Sequence, residues 1–504
     1  MAIKSRNTVG ALRQEVTAGT LIAPAAGTDF IPLQDGEFEM APNFNQLENN
    51  ELRGSIGSAK PILGLEEPKG SVSVYLKHSG VEGQEPQYGE LIHSAFGAKE
   101  VNGTQYTTAA GSTTAIVNVG VGNGANFSRG EAVLVKDGTN GYSIRPVHSV
   151  TGDALTLGFS LANAPAAGIG LGKAVKYSVA NQGHPSFSAW YYQGNAGAVE
   201  AQSGCQVTSM EMSVTAGEFI NTSFSFAGSK YFYDPMEITA STNKLDFSDG
   251  STRLATIPPK FYRDPVELAQ AVQDSMNSAG SSDTFTVSYN HTGANAGKFT
   301  IATSGATLSL LWNTGANTAQ TIGTKLGFLV AADDTGATTY TSDNALTLTA
   351  PYTPSYDAVD PLVAKNLEVY IGTATEIACA GISEFTFTLD NTIDNVLDIC
   401  AESGVDEKLI NQRTVSIDFT ARLAAYDARM FTRFRANDEV RFMFAFGTKS
   451  GGNWQAGKSG CVYIPTATIS SFQVQSQDNI VVINGTLTAF VDANGNGECY
   501  LNFL

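Results

Sequence analysis

Residues 459–490 of this chain read SGCVYIPTATISSFQVQSQDNIVVINGTLTAF, and a shorter block of the same form occupies residues 203–232. Each block opens with Ser-Gly-Cys, ending at Cys461 in one case and Cys205 in the other, and continues with two segments of alternating apolar and polar residues. Alternation with a period of two is typical of a β-strand that buries one face. The two blocks therefore predict two β-hairpins built on one plan.

The segments before each block also repeat. Strands are predicted at 36–40 and 71–76 before the first block and at 382–389 and 414–421 before the second, each pair followed by a short amphipathic helix, at 88–96 and 427–434. Phe38 lies 34 residues before Val72, and Phe385 lies 30 residues before Val415, so the intervening polar loops are nearly equal in length. The repeat of strand, loop, strand, helix and hairpin predicts a duplicated β-rich domain.

Composition indicates a folded protein with a polar but weakly charged surface. Hydrophobic residues make up 42% of the 504-residue chain, charged residues only 15%, and there are 51 glycines. Such a surface suits large contacts between subunits, because few unpaired charges would be buried there. The formal charge of −18 excludes a basic groove that holds nucleic acid, although it is compatible with a conduit through which DNA slides without sticking.

Cysteine usage and hydropathy bear on the cellular compartment. The five cysteines are an odd number without a CxxC pair, which favours reduced thiols over a disulfide framework. The N-terminal residues lack the apolar core of a signal peptide, and no run approaches the roughly 18 apolar residues of a membrane span. Cytoplasmic synthesis without membrane insertion is the expectation.

Changes of pattern along the chain predict five segments. They are an extended N-terminal arm (1–30), a first β-domain in two pieces (31–104 and 179–235), a small all-β, barrel-like insertion (105–178), an inserted α+β module (236–350) and a second β-domain (351–504). The α+β module contains one longer helix, for which Asp264 supplies the N-cap and Pro265 the first turn. Its predicted buried stripe is Val266, Ala269, Val272 and Met276.

Motifs of catalysis and cofactor binding are absent from the sequence. There is no G-x-S-x-G elbow, P-loop, H-E-x-x-H or dinucleotide fingerprint, and the five histidines fall in separate segments. The acidic run 390–398 could supply paired carboxylates for glycoside hydrolysis, but the three tryptophans lie in different segments and do not indicate a sugar cleft. We therefore predict a protein that is not an enzyme and that uses neither cofactor nor metal.

The duplicated blocks resemble the tail tube proteins of long-tailed, siphovirus-type bacteriophages, in particular the kind with two tube domains per chain. The likeness rests on residues 35–76, 205–226, 382–446 and 461–490. It implies a mainly β fold with two tail-tube-type β-sandwich domains, each with a short flanking helix, while the two insertions resemble outward-projecting decoration domains. In that family six tube domains form a ring, so two per chain imply a trimeric, pseudo-hexameric ring that stacks into a hollow tube.

The resemblance also assigns roles to residues. The candidates for the channel lining are the polar residues that alternate with buried ones in the strands: Ser209, Glu211, Ser213, Thr386, Thr388 and Asp418. The family's long loop between the first two strands braces subunits and rings, which here points to residues 41–69 and 390–411. The candidates in these loops are Glu48, Glu51, Arg53, Asp390, Asp394 and Asp398.

The partners that the resemblance implies are further copies of the chain, the tape measure, tail terminator and tail tip proteins, and double-stranded DNA in transient passage, with no membrane. The protein would be made in the host cytoplasm and reside in the virion tail. Two alternatives remain at this point. A β-rich phage surface protein that binds host glycans predicts exposed aromatic clusters in the insertions and no duplication, and a secreted glycosidase predicts a signal peptide and an aromatic cleft.

Overall fold

The computed structural model describes all residues except 1–4, 52–56, 138–140, 196, 375–380, 402, 423–427, 478, 493–494 and 496. The described residues form 34 β-strands and three α-helices, which confirms the mainly β fold class. None of these helices is long and apolar enough to cross a membrane. The helices are α1 Gly89–Phe96, α2 Pro265–Asn277 and α3 Ala428–Ala436.

The first eighteen strands run as far as residue 233. They are β1 Val9–Gln14, β2 Phe30–Ile31, β3 Phe38–Ala41, β4 Phe44–Leu47, β5 Ile62–Glu66, β6 Lys69–Tyr75, β7 Gly97–Asn102, β8 Tyr106–Thr107, β9 Ile116–Asn118, β10 Ala132–Lys136, β11 Tyr142–Thr151, β12 Ala154–Leu157, β13 Gly170–Leu171, β14 Ala174–Val179, β15 Phe187–Tyr192, β16 Val199–Thr215, β17 Asn221–Ala227 and β18 Lys230–Tyr233.

The remaining strands complete the chain. They are β19 Met236–Ile238, β20 Lys244–Ser248, β21 Thr252–Thr256, β22 Lys260–Tyr262, β23 Phe285–Tyr289, β24 Phe299–Thr303, β25 Leu308–Leu310, β26 Asp334–Ala337, β27 Thr339–Thr341, β28 Glu368–Gly372, β29 Ile382–Leu397, β30 Val405–Arg422, β31 Val440–Ser450, β32 Asn453–Gln477, β33 Ile480–Ala489 and β34 Tyr500–Phe503.

The described residues fall into two compact units. The smaller unit comprises the described parts of residues 1–9, 189–202 and 230–351, and the larger unit those of 10–188, 203–229 and 352–504.

The smaller unit contains the α+β module. Helix α2 begins as predicted, because the Asp264 carboxylate accepts a hydrogen bond from the backbone N–H of Glu267 at 2.7 Å. Helix α2 packs against β21, β22 and β23. The predicted buried stripe is wrong at one position, since Val266 is 47% exposed while Leu268 is fully buried. Val266 lies on the exposed side of the first turn, whereas Pro265 and Leu268 are both buried.

The larger unit contains a run of eight antiparallel strands. Their order is β3, β6, β17, β16, β29, β30, β33, β32. The first four strands come from the first predicted β-domain and the last four from the second. The order within each group of four is the same, because β3, β6, β17 and β16 occupy the places of β29, β30, β33 and β32. The repeat in the sequence is therefore a repeat of topology.

Matching β-bulges fix which residues are equivalent in the two halves. The pairing of β16 with β17 shifts between Val207 and Ser209, and that of β32 with β33 shifts between Ile469 and Ser471. Following the ladders outward from these bulges, Met210 corresponds to Phe472.

The same alignment corrects the predicted spacing of the repeat. Phe38 pairs with Val72, and Phe385 pairs with Phe419. The two residues of each pair are therefore 34 positions apart in the sequence. The counterpart of Val72 is thus Phe419 and not Val415. The error of four residues arises because alternation has a period of two, and any even shift leaves the buried face unchanged.

The Ser-Gly-Cys motif itself is not at equivalent places. Cys205 lies three residues before the bulge of β16, at residue 208, whereas Cys461 lies nine residues before the bulge of β32, at residue 470. The reason is length, since β32 has 25 residues and β16 has 17. Both cysteines are fully buried.

The small all-β segment shares a core with the second β-domain. Its four-stranded sheet has the order β9, β12, β11, β10. Ala132, Ile144 and Phe159 of this segment belong to one apolar cluster with Met443 and Tyr463. Strand β14, which lies within the predicted insertion, pairs with β7 on one side and with β34 on the other.

Part of the N-terminal segment, which the sequence predicts to be an extended arm, pairs within the chain. Residues Gly10 and Ala11 pair with Ile31 and Phe30, and Ala11 and Leu12 are buried. The apolar residues of β1 therefore have a place in the chain's own sheet. The carboxylate of Glu15 accepts hydrogen bonds of 2.8 Å from the backbone N–H groups of Gly19 and Gly204.

Candidate functional site: the polar face of the eight-stranded sheet

The residues predicted to line a channel lie on one face of the eight-stranded sheet. In the pairing of β16 with β29, Glu211 is opposite Thr388 and Ser213 is opposite Thr386. Thr386 is in turn opposite Asp418 of β30. Directly opposite residues of an antiparallel pair point to the same side of the sheet. All six predicted residues, Ser209 included, thus share one surface, which we call the polar face.

Further polar residues extend this face over the other strands. They are Glu39, Ser71, Ser73, Ser223, Ser225, Ser416, Ser471, Gln473, Thr486 and Thr488. The Thr486 hydroxyl donates a 2.6 Å hydrogen bond to Asp418 and accepts one of 2.8 Å from Ser471, which links three strands. Sequence reasoning missed these residues, although their alternation with buried residues could have found them.

The charge of the polar face is negative. Its ionisable groups include Glu39, Glu211, Glu384, Asp390 and Asp418. The strands also place two cations on this side, Lys69 and Arg422, but Lys69 is the first residue of β6 and Arg422 the last residue of β30. Arg413 points the other way, because its guanidinium bonds Glu498 at 2.8 Å. The middle of the face therefore carries hydroxyl, amide and carboxylate groups.

The opposite face of the same strands is the core that holds the polar face in place. Phe224, Phe226, Phe385, Phe387 and Phe419 are all buried there. Burying a side chain of this size contributes roughly 1.5–3 kcal/mol relative to leaving it exposed. A one-residue slip of any strand would turn these rings outward, so the apolar face sets the register. The polar face is concave at residues such as Ser213, Thr386 and Gln473, where it forms an open groove of about 580 Å³.

The two predicted bracing loops are equivalent structural elements, one in each half. Residues 390–411 were predicted to be irregular, but most of them extend the hairpin of β29 and β30, in which Asp394 pairs with Leu409. In the first half Leu47 pairs with Ile62 in the same register, and β4 and β5 form the matching ribbon. The sequence misled because the register shifts between Thr392 and Ile393 and again between Val396 and Leu397, which interrupts the alternation of apolar and polar residues.

The candidate loop residues have distinct environments. Asp390 lies on the polar face and accepts a hydrogen bond from Ser209. Asp394 accepts one from Asn411, and Asp398 caps the hairpin turn by accepting from the backbone N–H of Cys400 at 2.9 Å. Glu48 and Glu51 are exposed beyond β4, and Arg53 lies outside the described residues.

The β4–β5 ribbon and the β29–β30 hairpin contact each other. The backbone N–H of Glu66 donates to the carbonyl of Ser403 at 3.3 Å, and the Asn395 amide donates to Glu67 at 2.6 Å. Lys408 donates to Asn395 at 2.9 Å, and burial lowers the pKa of its ammonium group. The outer ends of the ribbon and the hairpin expose apolar side chains: Leu47, Ile62, Leu63, Leu397 and Ile399.

Helix α1 covers the place where the two halves join. The strands β16 and β29 meet there, and we call this pair the internal seam. The Ser94 hydroxyl of α1 accepts a hydrogen bond from the backbone N–H of Val207 at 3.2 Å. The amide of Asn391, only 5% exposed, donates to the carbonyls of Ala95 and Val207 at 3.0 and 3.2 Å. Asn391 therefore ties β29 to both β16 and α1.

The matching place at the other end of the sheet has no neighbour within the described pairings. Residues 471–477 of β32 pair with β33 along one side only, and we call their other side the open edge. Helix α3 lies beside it, with the rings of Phe431 and Phe434 centred 5.8 and 6.1 Å from that of Phe472. Phe431 is 48% exposed and Val474 is 52% exposed.

Comparison with known families agrees with this architecture. A family model described as phage tail tube protein matches residues 5–263, which is just over half of the chain. The chain belongs to the phage tail tube protein family. No curated protein matches it. The family is one of structural proteins of the virion tail and is not an enzyme family.

The matched region ends shortly after the first β-domain. Strands β29 to β33 lie outside the family match, and their kinship with the first half rests on the repeated strand order and on the common 34-residue spacing. The phage tail tube assignment and the internal repeat are therefore two independent observations. Among the described residues, no group of three His, Cys, Asp or Glu side chains is arranged to hold a metal ion.

Proposed function

We propose that this protein is the tail tube subunit of a siphovirus-type phage, which self-assembles into stacked rings to form the hollow conduit for DNA ejection. The observation that carries the proposal is the polar face, which continues across the internal seam without a break. Two tube-type halves lie side by side in one chain in the way that neighbouring subunits of a ring would. Three chains would then supply six such halves.

A ring of this kind encloses a wide channel. Three copies of the eight-stranded run make a closed sheet of about 24 strands, and barrels of 16 or more strands leave an aqueous lumen. Closure also removes every exposed sheet edge, which otherwise invites uncontrolled pairing. The groove in the polar face would lie along the lumen, with the aromatic core behind it.

The chemistry of the polar face suits the passage of duplex DNA. Phosphate groups are retained by Lys and Arg side chains, and the middle of the face offers carboxylates and hydroxyls instead. Glu211 and Asp418 repel phosphate weakly, while Ser213 and Thr386 present small groups that water solvates well. The lumen would let DNA slide rather than bind.

The projecting hairpins suit contacts between rings. Their ends expose Leu397, Ile399 and the apolar residues of the β4–β5 ribbon, and contiguous exposed apolar groups mark sites of protein association. The acidic residues Glu48, Glu51 and Asp398 lie at the same ends and would give these contacts a dependence on salt. The last rings would meet the tail terminator and tail tip proteins, and the lumen would hold the tape measure protein before DNA enters. The subunit would be made in the host cytoplasm before it joins the tail.

Electron microscopy of the purified protein tests this function. The protein should be concentrated stepwise, stained and imaged, and end-on views should be averaged without imposed symmetry. Hollow rings or tubes with three repeats around the lumen are expected. Compact monomers at every concentration, or a solid trimeric spike, would overturn the proposal.

A further inference from the structure

We infer that the open edge of one copy pairs with strand β3 of the next copy, in the register that the internal seam already displays. This inference rests on the proposed function and specifies the partner strand and the residue pairs. Its basis is that each chain contains one finished example of the contact between two halves. The second contact of each chain would repeat it with the equivalent strands.

The internal seam supplies the template. Seven residue pairs join β16 to β29, from Ser209 opposite Asp390 to Thr215 opposite Glu384. Strand β32 is the equivalent of β16, and strand β3 is the equivalent of β29. Among the described strand pairings, β3 is joined to β6 alone, and β32 beyond Ala467 is joined to β33 alone.

The correspondences convert the template into a predicted register. Glu211 corresponds to Gln473 and Thr388 corresponds to Ala41, so Gln473 of one copy lies opposite Ala41 of the next. In the same way Val474 lies opposite Met40, and Gln475 lies opposite Glu39. The chemistry agrees at two of the three pairs, because Val474 meets an apolar partner on the core side and Gln475 meets a hydrogen-bond acceptor on the polar face.

The ladder between copies should be shorter than the internal seam. Pro42 follows β3 and has no backbone N–H, whereas its counterpart Leu389 is part of the continuous strand β29. Proline breaks the first-half hairpin into β3 and β4 and is tolerated at sheet edges. It also protects β3 from pairing along its full length with a wrong strand. The inter-copy contact therefore depends more on side-chain packing than the internal seam does.

Helix α3 supplies that packing. Its counterpart α1 contacts the internal seam through Asn391, and the residue of β4 that matches Asn391 is Phe44, since Phe44 pairs with Glu66 as Asn391 pairs with Arg413. Within the chain, the polar side chain of Asn391 contacts α1. Between chains, the aromatic ring of Phe44 would contact α3. Phe431 on α3 offers the exposed aromatic surface that such a ring would cover.

Disulfide trapping in assembled tubes tests the register. Cys379 and Cys400 are first changed to Ser in the full-length chain, and Ala41→Cys is combined with Gln473→Cys. Directly opposite residues have Cα atoms close enough for a disulfide, which requires about 4.4–6.8 Å. Mild oxidation should yield covalent dimers and trimers on a non-reducing denaturing gel, with the ladder ending at three chains.

Matched pairs make the result specific. Glu39→Cys with Gln475→Cys is a second directly opposite pair and should give the same ladder. Ala41→Cys with Gln475→Cys is offset by two residues, and its yield should be at least about tenfold lower because diagonal neighbours are roughly 7–8 Å apart. Glu211→Cys with Thr388→Cys is the same contact inside one chain, and it should form an intramolecular disulfide without any dimer.

The outcomes separate this inference from the proposed function. Tubes that link through the offset pair and not through the opposite pairs would show that the register is wrong. Tubes that link through none of the three pairs would show that the open edge does not meet β3. If the unmodified protein never forms tubes, the proposed function fails as well, and the Glu211→Cys/Thr388→Cys variant reveals whether the fold itself is correct.

Discussion

The internal seam and the open edge are equivalent places in the two halves, one with a neighbouring strand and one with none among the described residues. At the seam Met212 is fully buried, whereas its counterpart Val474 at the open edge is 52% exposed. The helices differ in the same sense, because Leu91, Ile92 and Phe96 of α1 are fully buried while Phe431 of α3 is 48% exposed. Alternation of apolar and polar residues is alike in both strands. This difference in exposure is the one that the proposed ring predicts, because the neighbour of the open edge would be another copy.

The largest effect on stability is expected for Met212→Asp at the internal seam, and it should far exceed that of the matched change at the open edge. A carboxylate in this closed contact has no partner, and the loss of stability should exceed about 4 kcal/mol. We expect little soluble folded protein, with a strongly lowered midpoint in chemical denaturation. A variant that folds normally would mean that the two halves are not held together by this strand pair.

The same change at the open edge, Val474→Asp, should spare the fold and abolish assembly. Surface substitutions usually change stability by no more than about 0.5 kcal/mol, so the thermal midpoint should stay near that of the parent protein. Burying the new charge between copies should raise the concentration needed for tubes by more than about 100-fold, as measured by sedimentation and microscopy. Val474→Ile is the control that keeps the apolar contact. Normal tubes from Val474→Asp would remove the open edge from the interface.

A smaller effect is expected for Asn391→Leu. The carbonyls of Ala95 and Val207 would lose their shared donor inside the seam, at a cost of about 1–3 kcal/mol measured by chemical denaturation. The matched change Phe44→Leu should leave the isolated chain nearly as stable and weaken assembly instead. Equal stability losses in both variants would contradict the distinction between a filled and an unfilled contact.

A pH-dependent effect is expected at His148, which contacts residues of the half that carries the open edge. His148 Nδ1 is 3.0 Å from the Tyr463 hydroxyl, and Arg441 approaches Nε2 at 3.2 Å. Burial, with a further contribution from Arg441, lowers the pKa of His148 to about 4, so this group is neutral in the folded protein where the unfolded chain would be protonated. Stability should therefore fall as the pH drops from about 6.5 to 4.

The variant His148→Gln should flatten that pH dependence. Thermal midpoints measured at several pH values between about 4 and 6.5 would reveal the change in slope. The neutral amide keeps hydrogen-bonding capacity and has no proton to gain. An unchanged slope would assign the acid sensitivity to other groups, of which His78 is one, because burial also lowers its pKa to about 4.

The smallest effect on folding and assembly is expected for Glu211→Lys on the polar face. Tubes should still form, but they should retain duplex DNA fragments at low salt and release them as the salt concentration rises. Glu237→Lys makes the same change of charge in the other unit and is the control. Equal retention by both variants, measured by co-sedimentation, would remove the polar face from the DNA path.

The sequence was sufficient for features that depend on local pattern. Alternation located the hairpins and placed Glu211, Thr388 and Asp418 on a common face, and capping residues located the start of α2 at Pro265. It was insufficient for the pairing of Phe385 with Phe419, because an even shift preserves alternation and only the partner strand decides. Asn391 lies 296 residues after Ala95 of α1, whose carbonyl accepts its hydrogen bond. No local pattern in the sequence signals a contact over that separation.

The internal seam also has an entropic consequence. Two separate molecules that associate lose translational and rotational freedom worth about 4–15 kcal/mol, whereas two halves on one chain meet at a high effective concentration. In a six-part ring built from three such chains, half of the contacts would form during folding and would not depend on the amount of subunit present. Duplication within one gene product would thereby lower the threshold at which a growing tail can close each ring.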